Sequence, residues 1–284
     1  MLEVRRATVN SSCVLYKTTF RGRSAGNVLK FPAMTRDPVR PSFRVASPTF
    51  SPLYRQIKDF MIRSLEAGEW GPGDAIPSEG ELAARFNVSQ GTVRKAIDEM
   101  AAENLLIRRQ GKGTFVASHD DPRSFYRFLR LVPDDGNSAQ AVSVPLSCST
   151  KNADAEVAAT LGLKVGDPVI YVERLLRFNG ETVVFDQIHL VSDLFAGLTL
   201  ESLSGGDRSL YSLFENDYGV RMIHAEEHLR AVAADPYSAG LLAVQSGSPL
   251  LLVERTAYTY GNNPVEWRRG LYCTNRHYYR NDLG

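Results

Sequence analysis

Residues 77–116 read PSEGELAARFNVSQGTVRKAIDEMAAENLLIRRQGKGTFV, and this stretch decides the architecture of the first half of the chain. Ser78-Glu79-Gly80-Glu81 has the pattern of a capping box, in which the Ser78 hydroxyl accepts from a first-turn N–H while Glu81 reaches back. Leu82, Ala83 and Phe86 then share one helical face. Asn87-Val88 fits a tight turn, and Ser89 stands where it caps a second helix. Val93, Ala96, Ile97 and Met100 recur at i, i+3, i+4 and i+7, so one stripe of that helix faces a core. Gln90, Thr92, Arg94 and Lys95 are left outward at its start. Residues 105–107 and 114–116 read as strands. Arg108-Arg109-Gln110-Gly111-Lys112-Gly113 joins them as a basic turn whose glycines permit positive φ. Two short helices, a tight turn and a basic hairpin predict a winged helix-turn-helix. Its second helix would lie in a major groove with its first residues at base edges, and its wing would bring Arg109 and Lys112 to phosphates or a minor groove.

Ile76-Pro77-Ser78-Glu79 through Gly111-Lys112-Gly113-Thr114-Phe115-Val116 resembles the winged-helix domain of GntR-type bacterial transcription regulators, over residues 51–118. The resemblance implies a DNA-binding surface of Ser78, Glu79, Ser89, Gln90, Thr92, Arg94, Lys95, Arg109, Gln110, Lys112 and Gly113. The family carries DNA-touching arginines where this chain has Gly80 and Gln90. Gln90 suits a bidentate pair with adenine where an arginine would choose guanine, so a different operator sequence is expected.

Length and charge fit this plan. At 284 residues two domains are expected, each able to bury a core. The 43% apolar and 23% charged content is that of a soluble globular protein. Cys13, Cys148 and Cys273 are odd in number and widely spaced, so no disulfide framework is implied. No apolar run reaches the length of a membrane span and no secretory apolar core opens the chain, so a cytoplasmic protein without a membrane partner is expected. Net charge is only +1, and DNA binding must therefore rest on placement. Residues 1–48 hold nine Lys/Arg against two Asp/Glu, residues 49–118 nine of each, and residues 119–284 fifteen against twenty-one. Residues 85–95 and 104–116 contain no acid.

The domain plan follows the chain. Residues 1–48, basic and with Pro32, Pro38, Pro41 and Pro48, read as a disordered extension: either a DNA-tracking arm or an inert leader ahead of a start at Met34. Their acid-poor, Arg-rich composition is also that of a transit peptide, but the GntR-like body implies a bacterial source. Residues 49–118 are the winged helix. Ser51-Pro52 opens its supporting first helix, with the proline at the first helical position and Leu53, Ile57, Phe60, Met61 and Leu65 as the apolar stripe. Residues 119–122 are a polar linker and 123–284 a second domain. Strands are expected there at 142–148, 169–178, 182–191, 224–233, 250–260 and 265–273, and helices at 153–161, 209–218 and 236–244. Asn179-Gly180 and Gly261-Asn262-Asn263-Pro264 read as hairpin turns.

Within this domain Gly166-Asp167-Pro168-Val169-Ile170-Tyr171-Val172-Glu173-Arg174 recurs as Gly247-Ser248-Pro249-Leu250-Leu251-Leu252-Val253-Glu254-Arg255, at a constant offset of 81. Each copy reads helix, Gly-x-Pro turn, strand, hairpin, returning strand. Two such units predict a pseudo-two-fold α+β domain on one antiparallel sheet with a ligand cleft between the halves. Val-Glu-Arg-Leu, Asn-Gly-Glu, Ser-Leu-Tyr-x-Leu-Phe-Glu and Pro-Val-Glu with a later Tyr resemble the UTRA effector-binding domain of the HutC branch of GntR regulators, which has a chorismate-lyase-like fold. The strand content disfavours the all-helical effector domain of another branch, and the length excludes the aminotransferase-fused one.

The UTRA resemblance implies effector contacts at Arg174, Asp186, Ser209, Tyr211, Glu266 and Tyr272. The second arginine of the family's Arg-x-Arg pair is Leu176 here, so a carboxylate is expected rather than a phosphate. Asp186 and Glu266 imply hydroxyl or amino groups on the ligand. His224, Glu226, Glu227 and His228 invite a metal reading, but strand residues four apart lie roughly 13 Å apart and cannot share one ion. No Ser/His/Asp or Cys/His arrangement stands out, and Gly205-Gly206 reads as a loop rather than a phosphate cradle. Neither a cofactor, a metal nor a catalytic set is expected. The sequence therefore implies a ligand-responsive transcription regulator, a repressor and homodimer on a palindromic operator, with a small anionic metabolite as effector. The alternative is an enzyme of chorismate-lyase-like fold carrying an appended DNA-binding domain.

Overall fold

The computed structural model describes residues 51–120, 129–136, 141–205 and 208–281. The expectations on residues 1–48 with Cys13 and Met34, on linker residues Asp121 and Pro122, and on Gly206 fall outside them. From Phe50 onward the chain packs as one unit, with one apolar core in the winged helix and further cores in the second half.

In the first half α1 (Leu53–Glu66) lies behind α2 (Glu79–Phe86) and α3 (Gln90–Ala102), followed by β1 (Leu106–Arg109) and β2 (Gly113–Val116). The N-cap of α1 is Pro52, one position later than the Ser51 the sequence pattern gives, and it makes no side-chain cap bond. Of the α1 stripe only Ile57, Met61 and Leu65 are buried. Leu53 and Phe60 are 50% and 48% exposed, and the Phe60 ring stacks on Phe86. The other signals hold. The Ser78 hydroxyl accepts from the Glu81 N–H at 3.3 Å, and Glu81 Oε2 accepts from the Ser78 N–H at 2.8 Å. Asn87 turns the chain in the left-handed region at φ 53°, and Ser89 accepts from the Thr92 N–H. Val93, Ala96, Ile97 and Met100 are fully buried, and each large one contributes on the order of 1.5–3 kcal/mol. The wing turn needs Gly111 at φ 70° and Gly113 at φ 110°.

The second half is a six-stranded antiparallel sheet with strand order β4-β5-β6-β9-β8-β7. Its strands are β4 (Ala141–Asn152), β5 (Pro168–Phe178), β6 (Glu181–Val191), β7 (His224–Ala233), β8 (Pro249–Tyr258) and β9 (Pro264–Tyr272). The helices are α4 (Ala155–Leu161), α5 (Leu200–Ser204), α6 (Leu210–Tyr218) and α7 (Pro236–Leu242). A small pair, β3 (Leu131–Pro133) and β10 (His277–Tyr279), lies apart. The expected elements are present with ends moved by a few residues. β8 stops at Tyr258 because a 3-10 turn at Tyr260–Asn262 replaces a tight hairpin.

The repeat is structural. The Ala153 N–H bonds the Asp167 carbonyl and the Gly166 N–H bonds the Ala153 carbonyl, each at 2.8 Å. Ala234, Ser248 and Gly247 repeat both bonds at the same distances. Asp154 and Asp235 cap the equivalent helices α4 and α7. The pseudo-two-fold runs between β6 and β9, and each repeat's helix rests on the other repeat's returning strand, α4 on β9 and α7 on β6. That exchange locks the halves together, and α6 covers the opposite face of the sheet through Tyr211, Leu213 and Phe214.

Candidate functional site

The DNA-facing surface is built from the starts of α2 and α3 and from the wing. Ser78, Ser89, Gln90, Arg94, Lys95, Arg109, Gln110, Lys112 and Gly113 are exposed, while Glu79 and Thr92 are half-buried. Ser78, Ser89 and Thr92 are engaged in caps, which orient the helix starts. Glu79 binds two arginines: its carboxylate accepts from Arg94 Nε at 2.9 Å and from Arg108 Nη1 at 3.0 Å. The Arg94 bond holds the Glu79 pKa below the ordinary carboxylate value. Arg108 also reaches Asp98 at 2.7 Å, so it ties α2, α3 and β1 together. Sequence reading missed Arg108 in this role, as it missed Tyr54, whose ring carries the Lys95 ammonium 4.0 Å from its centroid. Arg109 lies over Phe115 in the wing at 4.5 Å.

On the α6 face of the sheet, cross-strand register sets charged side chains side by side. Arg174 pairs in register with Asp186, and Arg255 with Arg268. Arg174 donates to Asp186 Oδ2 from Nε and Nη2, both at 2.9 Å. Arg268 reaches the same oxygen at 3.3 Å and Glu266 Oε1 at 2.9 Å. The Tyr211 hydroxyl donates to Glu266 Oε1 at 3.0 Å. Arg255 donates to Glu227 at 2.7 Å. All three arginines are at least 93% buried, and Asp186 and Glu266 wholly so. Burial and the neighbouring Arg268 charge lower the Arg174 pKa. Burial also opposes the Arg255 cation, but Tyr211, Tyr272 and Glu227 more than offset it and hold that pKa well above the usual value. Burial raises the Tyr211 phenol and pushes Tyr272 up to about 12.

A cavity of about 220 Å³ opens between this charged face and the N-terminal end of α6. Arg174, Ser209, Tyr211 and Tyr272 line it, as the sequence implied. Asp186 and Glu266 do not: they stand behind the wall and hold its arginines. Arg208, Arg255, Arg268 and His119 line it and were not singled out in the sequence. Arg255 was findable, because it is the repeat partner of Arg174 at the same offset of 81. Arg268 Nε, fully buried, has no hydrogen-bond partner among the described residues. The residues considered for a metal lie elsewhere, on β7, where His224 stacks on Tyr258. No group of three or more potential ligands occurs among the described residues.

His119 joins this cavity to the first half. Its N–H and the Ser118 hydroxyl both donate to Glu215 Oε2 at 2.7 Å, and its Nε2 meets the Met222 carbonyl at 3.1 Å. Its ring lies 5.6 Å from that of Tyr211. Asp120 accepts from Ser212 and Asn216 on α6. Glu215 in turn pairs with Arg221 at 3.3 Å. The Arg221 guanidinium donates to the Leu105 and Asn104 carbonyls, immediately after α3, and to the Tyr260 hydroxyl.

Two family models match the chain: "Bacterial regulatory proteins, gntR family" over residues 53–116 and "UTRA domain" over residues 140–278. The chain is 30% identical to the HTH-type transcriptional regulator YurK of Bacillus subtilis, across 80% of this chain and 93% of that protein. It is 25% identical to the histidine utilization repressor of Pseudomonas putida, across 80% and 90% respectively. Among solved structures, the ligand-binding domain of a GntR-family transcriptional regulator from Bordetella bronchiseptica is 48% identical. It covers 56% of this chain and 99% of its own, with a TM-score of 0.55.

Proposed function

The chain belongs to the GntR family of bacterial transcriptional regulators, in the group with a UTRA domain, and on that footing we propose that it is a repressor whose hold on a palindromic operator is modulated by a small anionic metabolite in the arginine-walled cavity. The family assigns it to transcription regulation and not to enzymes. Several named relatives are repressors, and the second half resembles a domain described as ligand-binding. The observation that carries the proposal is His119, which lines the cavity while its backbone belongs to the segment leading from the wing. A ligand that binds the DNA-free and DNA-bound arrangements unequally must then shift operator affinity. Arg174, Ser209, Tyr211 and Tyr272 receive the ligand, and Asp186 and Glu266 support the wall. Leu176 in place of a second arginine favours a carboxylate over a phosphate.

The test is thermal-shift screening of anionic metabolites on full-length wild type and Arg174→Ala, followed by operator titrations with each hit. Coupling of roughly 1–3 kcal/mol predicts a change of about 5- to 150-fold in operator affinity. A hit that stabilises both proteins equally, or leaves operator affinity unmoved, rules this cavity out as the sensing site.

A further inference from the structure

Register divides the cavity floor into rows. One row runs Pro145–Arg174–Asp186–Gly270, and the next toward β9's end runs Ser143–Leu176–Val184–Tyr272. Two residues along a strand separate them by about 7 Å. The first row carries the Arg174 guanidinium, and the second is apolar at Leu176 and Val184 with the Ser143 and Tyr272 hydroxyls at its ends; Ser143, Leu176 and Tyr272 all line the cavity. Leu129, Val142 and Leu213 add further apolar wall. The charges are already matched: Arg174, Arg208, Arg255 and Arg268 each hold a carboxylate, from Asp186, Asp217, Glu227 and Glu266. A dianion would bring two charges into this balanced, buried setting, and a monoanion only one. Arg174, Arg208, Arg255 and Arg268 all line the cavity, so its charged wall is built from arginines. Asp186 and Glu266 stand behind the wall, so among the described residues no carboxylate lines the cavity to receive an amino group.

We propose that the effector is an amphipathic monocarboxylate, its carboxylate on the Arg174–Arg268 donors and its hydrocarbon body along the Leu176 row, and that Leu176 selects it over phosphorylated or polyhydroxylated ligands. This rests on the proposed function and narrows its ligand class.

The experiment is calorimetric titration of full-length protein with benzoate, phenylacetate, 3-phenylpropionate, 3-phenylpropionamide, gluconate and glucosamine 6-phosphate. Affinity should rise about three- to fourfold per methylene along the acids. The amide should bind roughly tenfold or more weakly than its acid, because it forfeits the charge-assisted bonds. Leu176→Met should preserve this order, and Leu176→Arg should reverse the preference toward glucosamine 6-phosphate. The inference is overturned if no acid in the series binds, if the amide matches its acid, or if gluconate or glucosamine 6-phosphate binds wild type tighter than every acid. Operator titrations separate the two levels. A sugar phosphate that binds and shifts operator affinity sinks this inference and leaves the regulator reading intact. An acid that binds without shifting operator affinity does the reverse.

Discussion

Gln90 and Gly80, the two positions where this chain departs from the family's arginines, are neighbours in space. A Cβ on Gly80 would stand 3.1 Å from Gln90 Nε2, so the missing side chain on α2 makes room for the amide that opens α3. The departures form one unit, and the base preference they carry is testable at one residue. Gln90→Arg should move the preferred operator base from adenine toward guanine, with discrimination on the order of 1–3 kcal/mol, as read by selection from a randomised site. An unchanged preference would mean that Gln90 does not reach a base. Lys112 is expected to act differently, as a phosphate contact at the wing tip. Lys112→Ala should weaken binding to all sequences alike and lower the slope of log affinity against log salt by about 0.9. An unchanged slope would remove the wing from the interface. The placement of these residues at a helix start and the wing tip was legible in the sequence because caps, turns and helix faces are set by neighbours a few positions away.

At the scale of elements, what the sequence hid is what strand register decides. Asp186 and Glu266 were visible as strand acids. Only the β5–β6 and β6–β9 pairings reveal that Arg174 and Arg268 converge on Asp186, whereas Glu266 and Arg268 share β9 and Arg255 was readable as the repeat partner of Arg174. The exposed Leu53 and Phe60 show the same limit, since periodicity finds an apolar stripe but not the width of what covers it. Register also explains His189 on β6, which pairs with Trp267 on β9 and lies between that ring and Tyr171. Burial lowers its pKa from 6.5 to about 4. A depressed folded-state value means that the neutral imidazole's contribution is fully present above pH 6.5 and is lost as pH falls toward 4. Wild type should therefore lose roughly 2 kcal/mol more stability over that window than His189→Phe, the figure being reduced for partial exposure. Parallel melting-temperature profiles of the two proteins between pH 7 and about 4 would dismiss this role for His189.

At the scale of the whole molecule, one recognition helix reads few base pairs, and two-fold pairing of chains doubles the contacts. Protection mapping should accordingly show two symmetric half-sites, and a single asymmetric footprint would exclude the palindrome. The two halves of each chain are joined by a short series of buried contacts. The cavity touches His119, whose backbone N–H is held by Glu215; Glu215 pairs with Arg221, which grips the carbonyls just after the recognition helix. Ile223 and Tyr260 pack on the winged-helix core beside that grip. Arg221 is a poor place to cut this series, because breaking a buried pair costs about 3–5 kcal/mol and threatens the fold. His119→Ala removes the side chain that faces the cavity and keeps the backbone bond to Glu215. It should leave the fold and ligand-free operator binding close to wild type. The ratio of operator affinities with and without a saturating ligand should collapse from about 5- to 150-fold toward unity. Reciprocity gives the check: operator DNA should then also cease to alter ligand affinity. Coupling that persists undiminished in His119→Ala would show that the signal leaves the cavity by another route.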